Sequence, residues 1–328
     1  MKKQIIQQAA NDHKRTSNRK IKPPKLFYLL ALTILGNNSA ISAYGRNPTA
    51  QVLQTQDEAY LIDCGEGTQQ QLNIYKVKRS KINRIFISHL HGDHYFGLIG
   101  LLTSMGLLGR STVLHLHAPA PLKIIIDLQL EAAAAKLQYE LVFHALGDEG
   151  IIVNDKHLTV ECFKVKHRID CWGFLFREKK NPRHIDPDRV KAYEIPASYY
   201  EALQKGADYT NKKGTSIPNA EVTRAASPAK SYAYCADTIF DETLADKVQG
   251  VDLLYHETTY LHDLEDRAAA RFHSTTVQAA TIAIKANAKK LLIGHFSSKY
   301  ELLDDFLAET SAVFPNTELA LQGICYKI

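Results

Sequence analysis

The sequence predicts an α/β sandwich, two sheets covered by helices, with one basic insertion protruding from it. Strand-like runs alternate with helical ones: "AYLID" precedes "GTQQQLNIY", "INRIFIS" precedes "YFGLIGLLTSM", "STVLHLHA" precedes "LKIIIDLQLEAAAAKL", and "KLLIGHF" precedes "LLDDFLAETSAVF". Other apolar runs, "IIVNDKHLTVECFKVKH" and "CWGFLFRE", follow one another as consecutive strands. Strand–helix units mixed with strand pairs need two sheets with helices on their outer faces. The third observation is an interruption, residues 177–230, which holds five of the eleven prolines and little apolar periodicity.

A chain of 328 residues that is 45% apolar can bury one large core, and no low-complexity tract divides it. We expect a basic, poorly ordered leader over residues 1–25 and one domain over 26–328, with 177–230 inserted in it. The leader holds eight Lys/Arg against one Asp and runs into "LFYLLALTILG". That apolar run is too short to span a bilayer and ends in the turn signal "LGNNSA", so it reads as a first core strand rather than a signal peptide or membrane anchor. The five cysteines form no C-x-x-C pair, which suits a reducing compartment, and the cytoplasm is expected.

Charge is segregated. The leader carries +7, residues 177–230 carry +4 from 11 Lys/Arg and 7 Asp/Glu, and the rest is acidic, within a total of +5. Two basic segments on an acidic body suit a polyanionic partner, although Lys-rich loops also serve solubility.

The chemistry concentrates in "ISHLHGDHYFG", residues 87–97, directly behind an apolar strand. In extended chain, residues i and i+2 point the same way, so His89 and His91 can reach one ion. Asp93 and His94 lie past Gly92, where the chain can turn toward a second. Imidazole and carboxylate together suit zinc. Asp63 ends another apolar strand before "CGEG", and a buried carboxylate there needs partners. "LLIGHF" places His295 at the end of a buried strand, whereas His167 alone reads as an ordinary strand-end histidine. "FHSTT" reads as a helix N-terminus capped by Ser274 or Thr275. His115 and His117 are read as sheet residues, and His13, His144, His157, His184 and His262 as surface or packing residues.

With "LIDCGEGTQ", "KHRIDCWGFLF", "YAYCADT", "LLYHETTY", "FHSTT" and "LLIGHFSSKY" in this order and spacing, the chain from about residue 26 onward resembles ribonuclease Z, the tRNA 3′ endonuclease family of the metallo-β-lactamase superfamily. The H-x-H-x-D-H element marks the superfamily; the HST, H-E-T-T and "HFSSKY" elements mark the ribonuclease. The resemblance implies a four-layer αβ/βα sandwich. It implies that one metal is held by His89, His91 and His167 and the other by Asp93, His94 and His295, with Asp237 bridging. It makes Asp63 the group that fixes the 89–94 loop, and it makes Asp93, His273 and Glu257 catalytic, the last two as a proton relay. Two Zn²⁺ per subunit are implied, with Mn²⁺ as the other candidate.

Residues 177–230 lie where the family has a tRNA-gripping arm. Lys179, Lys180, Arg183, Arg189, Lys191, Lys205, Lys212 and Lys213 are its candidate phosphate partners. The family's Gly-Pro-rich tip is replaced by "EIPASYYEALQKGADY", Ala236 stands where Gly is usual, and Lys299 where Arg is common. The implied function is removal of the 3′ trailer from precursor tRNA by two-metal hydroxide attack, leaving a tRNA 3′-hydroxyl and a 5′-phosphate on the trailer. A homodimer is implied as well. The alternatives are a metal-dependent hydrolase of small esters or phosphodiesters, which would need no basic arm, and a metal-free RNA-binding protein, which the intact ligand set opposes.

Overall fold

The computed structural model describes residues 30–156, 158–179 and 182–328. The expected leader, Lys180 and His157 lie outside the described residues. Fourteen strands build two seven-stranded sheets. The first comprises β1 (Ala31–Gly36), β2 (Ala50–Gln54), β3 (Ala59–Ile62), β4 (Ile82–Phe86), β5 (Leu114–Pro119), β6 (Leu141–Leu146) and the C-terminal β14 (Cys325–Lys327). Its order is β14-β1-β2-β3-β4-β5-β6, antiparallel up to β3 and parallel beyond it. The second comprises β7 (Gly150–Asn154), β8 (Leu158–Val165), β9 (Cys171–Glu178), β10 (Ser231–Cys235), β11 (Leu253–Glu257), β12 (Leu291–Gly294) and β13 (Thr317–Leu319). It is ordered β13-β12-β11-β10-β9-β8-β7, parallel from β13 to β10 and antiparallel beyond.

Inward-facing aromatics fill the space between the sheets. Phe86 of the first sheet meets Phe174 at 5.3 Å and Phe176 edge-on at 5.4 Å, and Tyr234 stacks on Tyr255 at 5.1 Å. Offset and edge-on rings add to the burial of their area. On the outer face of the first sheet, α1 (Thr68–Ile74), α2 (Leu98–Leu107) and α3 (Pro121–Ala132) bury Leu72, Leu101, Leu102 and Ile126 against Val52, Leu61, Ile85 and Leu116. On the second sheet, α4 (Thr276–Lys285) lays Ala279, Ile282 and Ala283 into the main core, and α5 (Asp304–Val313) adds Phe306. The layers are therefore helix, sheet, sheet and helix, as expected.

The first strand is short but buried at all six positions. The turn after it is tighter than "LGNNSA" alone suggested: a β-carbon on Gly36 would come within 1.8 Å of the Pro48 carbonyl oxygen. Among the described residues no helix is long and apolar enough to cross a membrane.

The inserted segment has more structure than its sequence suggested. Residues Val190, Ile195, Leu203, Ile217 and Val222 form a small apolar core of their own, bordered by Tyr193, Tyr199, Tyr200 and Tyr209. Short helices Pro187–Ala192 and Tyr200–Gln204, with the strand pairs His184–Ile185/Thr223–Arg224 and Tyr209–Thr210/Ser216–Ile217, surround it. The periodicity was hard to read because no element exceeds six residues, less than two helical turns. At its base, Glu178 and Lys230 exchange backbone and side-chain hydrogen bonds.

Candidate metal centre

Strand register brings the site together. Ile62 lies opposite Phe86 in the parallel β3–β4 pair, which sets Asp63, the next residue, beside Ser88. Glu257 lies opposite Gly294 in β11–β12, which sets Thr259 near His295. His89, His167, Asp237 and His295 all follow the carboxyl ends of strands, so they meet at one edge of the sandwich. Asp63 (φ 54°) and His295 (φ 62°) turn that edge in the left-handed backbone region. For a residue with a β-carbon this conformation costs about 1 kcal/mol or more, and such strain collects at functional sites.

Two donor groups hold the expected ligands, and a third, of Asp237, His273 and His295, overlaps them. The ligand atoms of His89, His91, His167 and Asp237 lie within 4.8 Å of one another, and so do those of Asp93, His94 and His295. His89 Nε2 and His167 Nε2 each lie 3.1 Å from His91 Nδ1. His295 Nε2 lies 3.3 Å from both His94 Nε2 and Asp93 Oδ2. Asp237 divides its carboxylate between the groups: Oδ2 is 3.7 Å from His89 Nε2, and Oδ1 is 3.4 Å from His94 Nε2 and 3.2 Å from His295 Nε2. All seven residues expected as ligands meet here.

The rear nitrogens of four imidazoles are tied down. His167 Nδ1–H donates to the Phe272 carbonyl oxygen at 2.8 Å, leaving Nε2 as a lone pair aimed at the first group. His94 Nδ1 meets Asp63 Oδ2 at 2.7 Å, His89 Nδ1 meets Ser88 Oγ at 3.0 Å, and His295 Nδ1 meets Thr259 Oγ1 at 2.9 Å. Such partners set the tautomer and ring angle of metal-binding histidines.

Asp63 is fully buried and accepts from the Ser88 N–H (2.7 Å), the Ser88 hydroxyl (2.9 Å) and the Tyr234 hydroxyl (2.6 Å) as well as facing His94. Tyr234, Ser88 and Thr259 were not singled out in the sequence. Nor was the loop after β1, whose Ala40 N–H donates to Asp93 Oδ2 at 2.7 Å. Tyr234 carries a faint signal, since it alternates with the equally buried Tyr232 along β10. Its partner is 171 residues away, beyond any local pattern.

Do these residues suit a cation? Asp63, Asp237 and Glu257 are at most 2% exposed, and Asp93 is largely covered. Among the described residues none of the four pairs with a Lys or Arg; their ionic contacts are to histidines. Buried carboxylates need a counter-charge. Burial, with the charge of neighbouring rings, holds His89 well below the usual histidine range and His91 down to about 4, and burial also lowers His167, so these rings are neutral and ready to ligate. Around His94 burial pulls the other way from Asp237, Asp63 and Asp93, which prevail and raise it well above the usual range. That field attracts positive charge, and the donor set of nitrogens and carboxylates suits zinc-like ions.

Beside the ligands, Glu257 accepts from the Ser274 N–H (2.7 Å), the Thr259 N–H (2.9 Å) and the Thr259 hydroxyl (2.8 Å), and its Oε1 lies 3.1 Å from His273 Nδ1. Burial alone would lower His273, but the Glu257 carboxylate, with Asp237 and Asp93, lifts it to about 9. The helix cap left open between two residues belongs to Thr275, which forms a capping box with Gln278; the Ser274 hydroxyl instead donates to the Thr238 carbonyl at 2.7 Å. A mouth of about 330 Å³ opens over His91, Asp93, Asp237 and His273, with Arg168 and Phe96 on its wall.

Among the described residues, the remaining histidines do not join the centre. His115 and His117 lie on β5, with His117 stacked between Phe86 and His144, and His262 faces Thr275.

The whole chain can now be set beside known proteins. Ribonuclease Z of Bacteroides fragilis strain YCH46 is 42% identical over 299 residues, spanning 90% of this chain and 98% of that one. The chain belongs to the ribonuclease Z family. Its members are endoribonucleases, hydrolases of phosphodiester bonds. Ribonuclease Z of Trichodesmium erythraeum is 37% identical, covering 91% of this chain and 95% of its own. Among solved structures, human tRNase Z, short form, matches with a TM-score of 0.68 at 26% identity over 91% of this chain and 99% of that one. The metallo-β-lactamase-fold protein YhfI of Bacillus subtilis shares the fold, with a TM-score of 0.64 at 18% identity over 91% of this chain and 99% of its own. Residues 30–179 also match the family model for the anti-Pycsar protein Apyc1, which covers the first ligand loop and His167 but stops before Asp237, Glu257, His273 and His295.

The Asp63 cluster yields a test specific to this ribonuclease Z fold. Tyr234→Phe removes one donor to a buried carboxylate and is expected to destabilise by about 1–3 kcal/mol. It is also expected to weaken metal retention about tenfold in competition with a chelator. Retention equal to wild type would show that Tyr234 packs without orienting the ligands.

Proposed function

We propose that the protein removes the 3′ trailer from precursor tRNA, using His89, His91 and His167 for one metal, Asp93, His94 and His295 for a second, and Asp237 for both. The observation that carries this reading is the divided Asp237 carboxylate, one oxygen toward each donor group, in a chain of the ribonuclease Z family. Two Zn²⁺, or Mn²⁺ in their place, would supply at this position a nucleophile drawn from water at neutral pH and positive charge against the phosphoryl oxygens.

The chain's own residues supply the rest. Asp63, through Ser88 and His94, holds the ligand loop in place. Thr259 links His295 to Glu257, so ligand and relay share one support. The Glu257 carboxylate holds a proton on His273, whose Nδ1 faces Oε1, leaving Nε2 to donate to the departing 3′ oxygen. Water, having released one proton to solvent, adds its oxygen to phosphorus as the bond from phosphorus to the 3′ oxygen breaks; that oxygen takes the His273 proton, and His273 regains one from solvent. The tRNA keeps a 3′-hydroxyl and the trailer a 5′-phosphate.

The centre could hydrolyse many phosphodiesters, so selection of tRNA falls to the surface. The inserted segment offers Arg189, Lys191, Lys205, Lys212 and Lys213 at exposed positions, the last two on the tight turn between its short strands. Lys205 shares its charge with Glu201 at 2.6 Å. Arg183 donates to the Thr223 hydroxyl at 2.7 Å and Lys179 to the Asp155 carbonyl, so these two also brace the arm and its base. We infer that the arm serves the neighbouring subunit of a homodimer. All five cysteines are free, which fits the cytoplasm.

The direct test is cleavage of a precursor tRNA with mapping of both ends and metal analysis. About two metals per chain and a tRNA 3′-hydroxyl are expected; a 3′-phosphate would overturn the chemistry. His273→Ala is expected to keep its metals and lose activity about 10²-fold or more, and turnover near wild type would remove His273 from the relay. Deleting residues 182–229 should abolish tRNA cleavage and spare a small phosphodiester substrate. Mixing that variant with His273→Ala should restore cleavage if arm and active site come from different subunits, and no recovery would argue for an arm acting on its own site.

A further inference from the structure

We propose that the side chain of Phe272 is a stacking platform for a nucleobase flanking the scissile phosphate. This rests on the ribonuclease reading above and goes beyond it to a contact with the substrate itself. The helix Glu265–Arg271 ends on Phe272, whose backbone is left-handed at φ 58° and ψ 47°. Glycine or asparagine ordinarily takes this position, because a β-carbon there is crowded, and a bulky residue is an outlier. A helix stop alone gives no reason for phenylalanine.

Packing gives none either. Phe272 is 37% exposed and belongs to none of the three apolar cores. Its ring stands nearly perpendicular to that of His167, at 87° and 6.5 Å between centroids. Its main chain already has a task, since the carbonyl anchors His167, but any residue provides a carbonyl. Phe96, the other exposed phenylalanine at the centre, has a structural use: its ring lies over Gly92, where a β-carbon would meet it at 2.2 Å. Phe272 thus leaves more than a third of its surface open to solvent, next to His167 and immediately before His273.

A phosphodiester cut at this centre carries a nucleotide on either side. Every base has a π-face, and stacking on an aromatic side chain is tolerant of sequence, as an enzyme acting on many tRNAs requires. The exposed Arg168, next to His167 and on the wall of the mouth, is positioned for the adjoining phosphate.

Phe272→Gly suits the left-handed backbone and retains the carbonyl, so its metal content should equal wild type and its Tm should be no lower. On precursor tRNA its kcat/KM is expected to fall about tenfold, and Phe272→Tyr should restore it. On two precursors, each abasic at one of the positions flanking the scissile bond, one should show wild type reduced to the level of Phe272→Gly with no further loss in the variant. Wild-type kcat/KM for Phe272→Gly on the intact precursor, or an equal loss on both abasic substrates, would overturn the platform. A wild-type protein inert toward precursor tRNA would overturn the ribonuclease reading itself, and the platform with it.

Discussion

Four carboxylates, Asp63, Asp93, Asp237 and Glu257, sit at one edge of the sandwich without a lysine or arginine partner among the described residues, and much of the surrounding structure compensates for that charge. Buried anions left alone would be protonated or would open the fold. Here two are surrounded by fixed donors: Asp63 by Ser88, Tyr234 and His94, and Glu257 by Thr259, Ser274 and His273. The other two turn toward converging imidazoles. The same field that must be neutralised is what suits the edge to cations, and the rear hydrogen bonds of the imidazoles decide which nitrogen meets them.

Strand register turns this constraint into geometry. Parallel pairing of β3 with β4 sets Asp63 beside Ser88, and pairing of β11 with β12 sets Thr259, two residues past Glu257, beside His295. A slip of one residue would send these side chains to the opposite face. The aromatic packing of Phe86, Phe174 and Phe176 between the sheets guards against that slip, because it fixes which residues point inward. The left-handed Asp63 and His295 then complete the turn at the edge, and the core beneath holds their strain.

The donor groups and the inserted segment are built on separate cores. The metal centre rests on the main core, while the inserted segment carries an apolar cluster of its own, so its contacts can vary without disturbing the ligands.

Alternating periodicity and the dense "SHLHGDH" run are local signals, so the fold class and His89, His91, Asp93 and His94 were legible in the sequence, whereas His167 and Asp237 came only through the resemblance carried by the ordered motifs. The sequence also marked Asp63, since a carboxylate ending an apolar strand needs partners wherever that strand goes. Local signals could not reach contacts made across the chain. Tyr234 bonding Asp63, Thr259 linking His295 to Glu257, and Ala40 reaching Asp93 depend on sheets paired at distances of tens to hundreds of residues. Tertiary structure likewise decided that Thr275 rather than Ser274 caps its helix, that the arm has a core, and that Phe272 stands exposed in a left-handed turn beside His167. Each of these is a matter of backbone direction and of what lies opposite in space, which residue type and spacing do not encode.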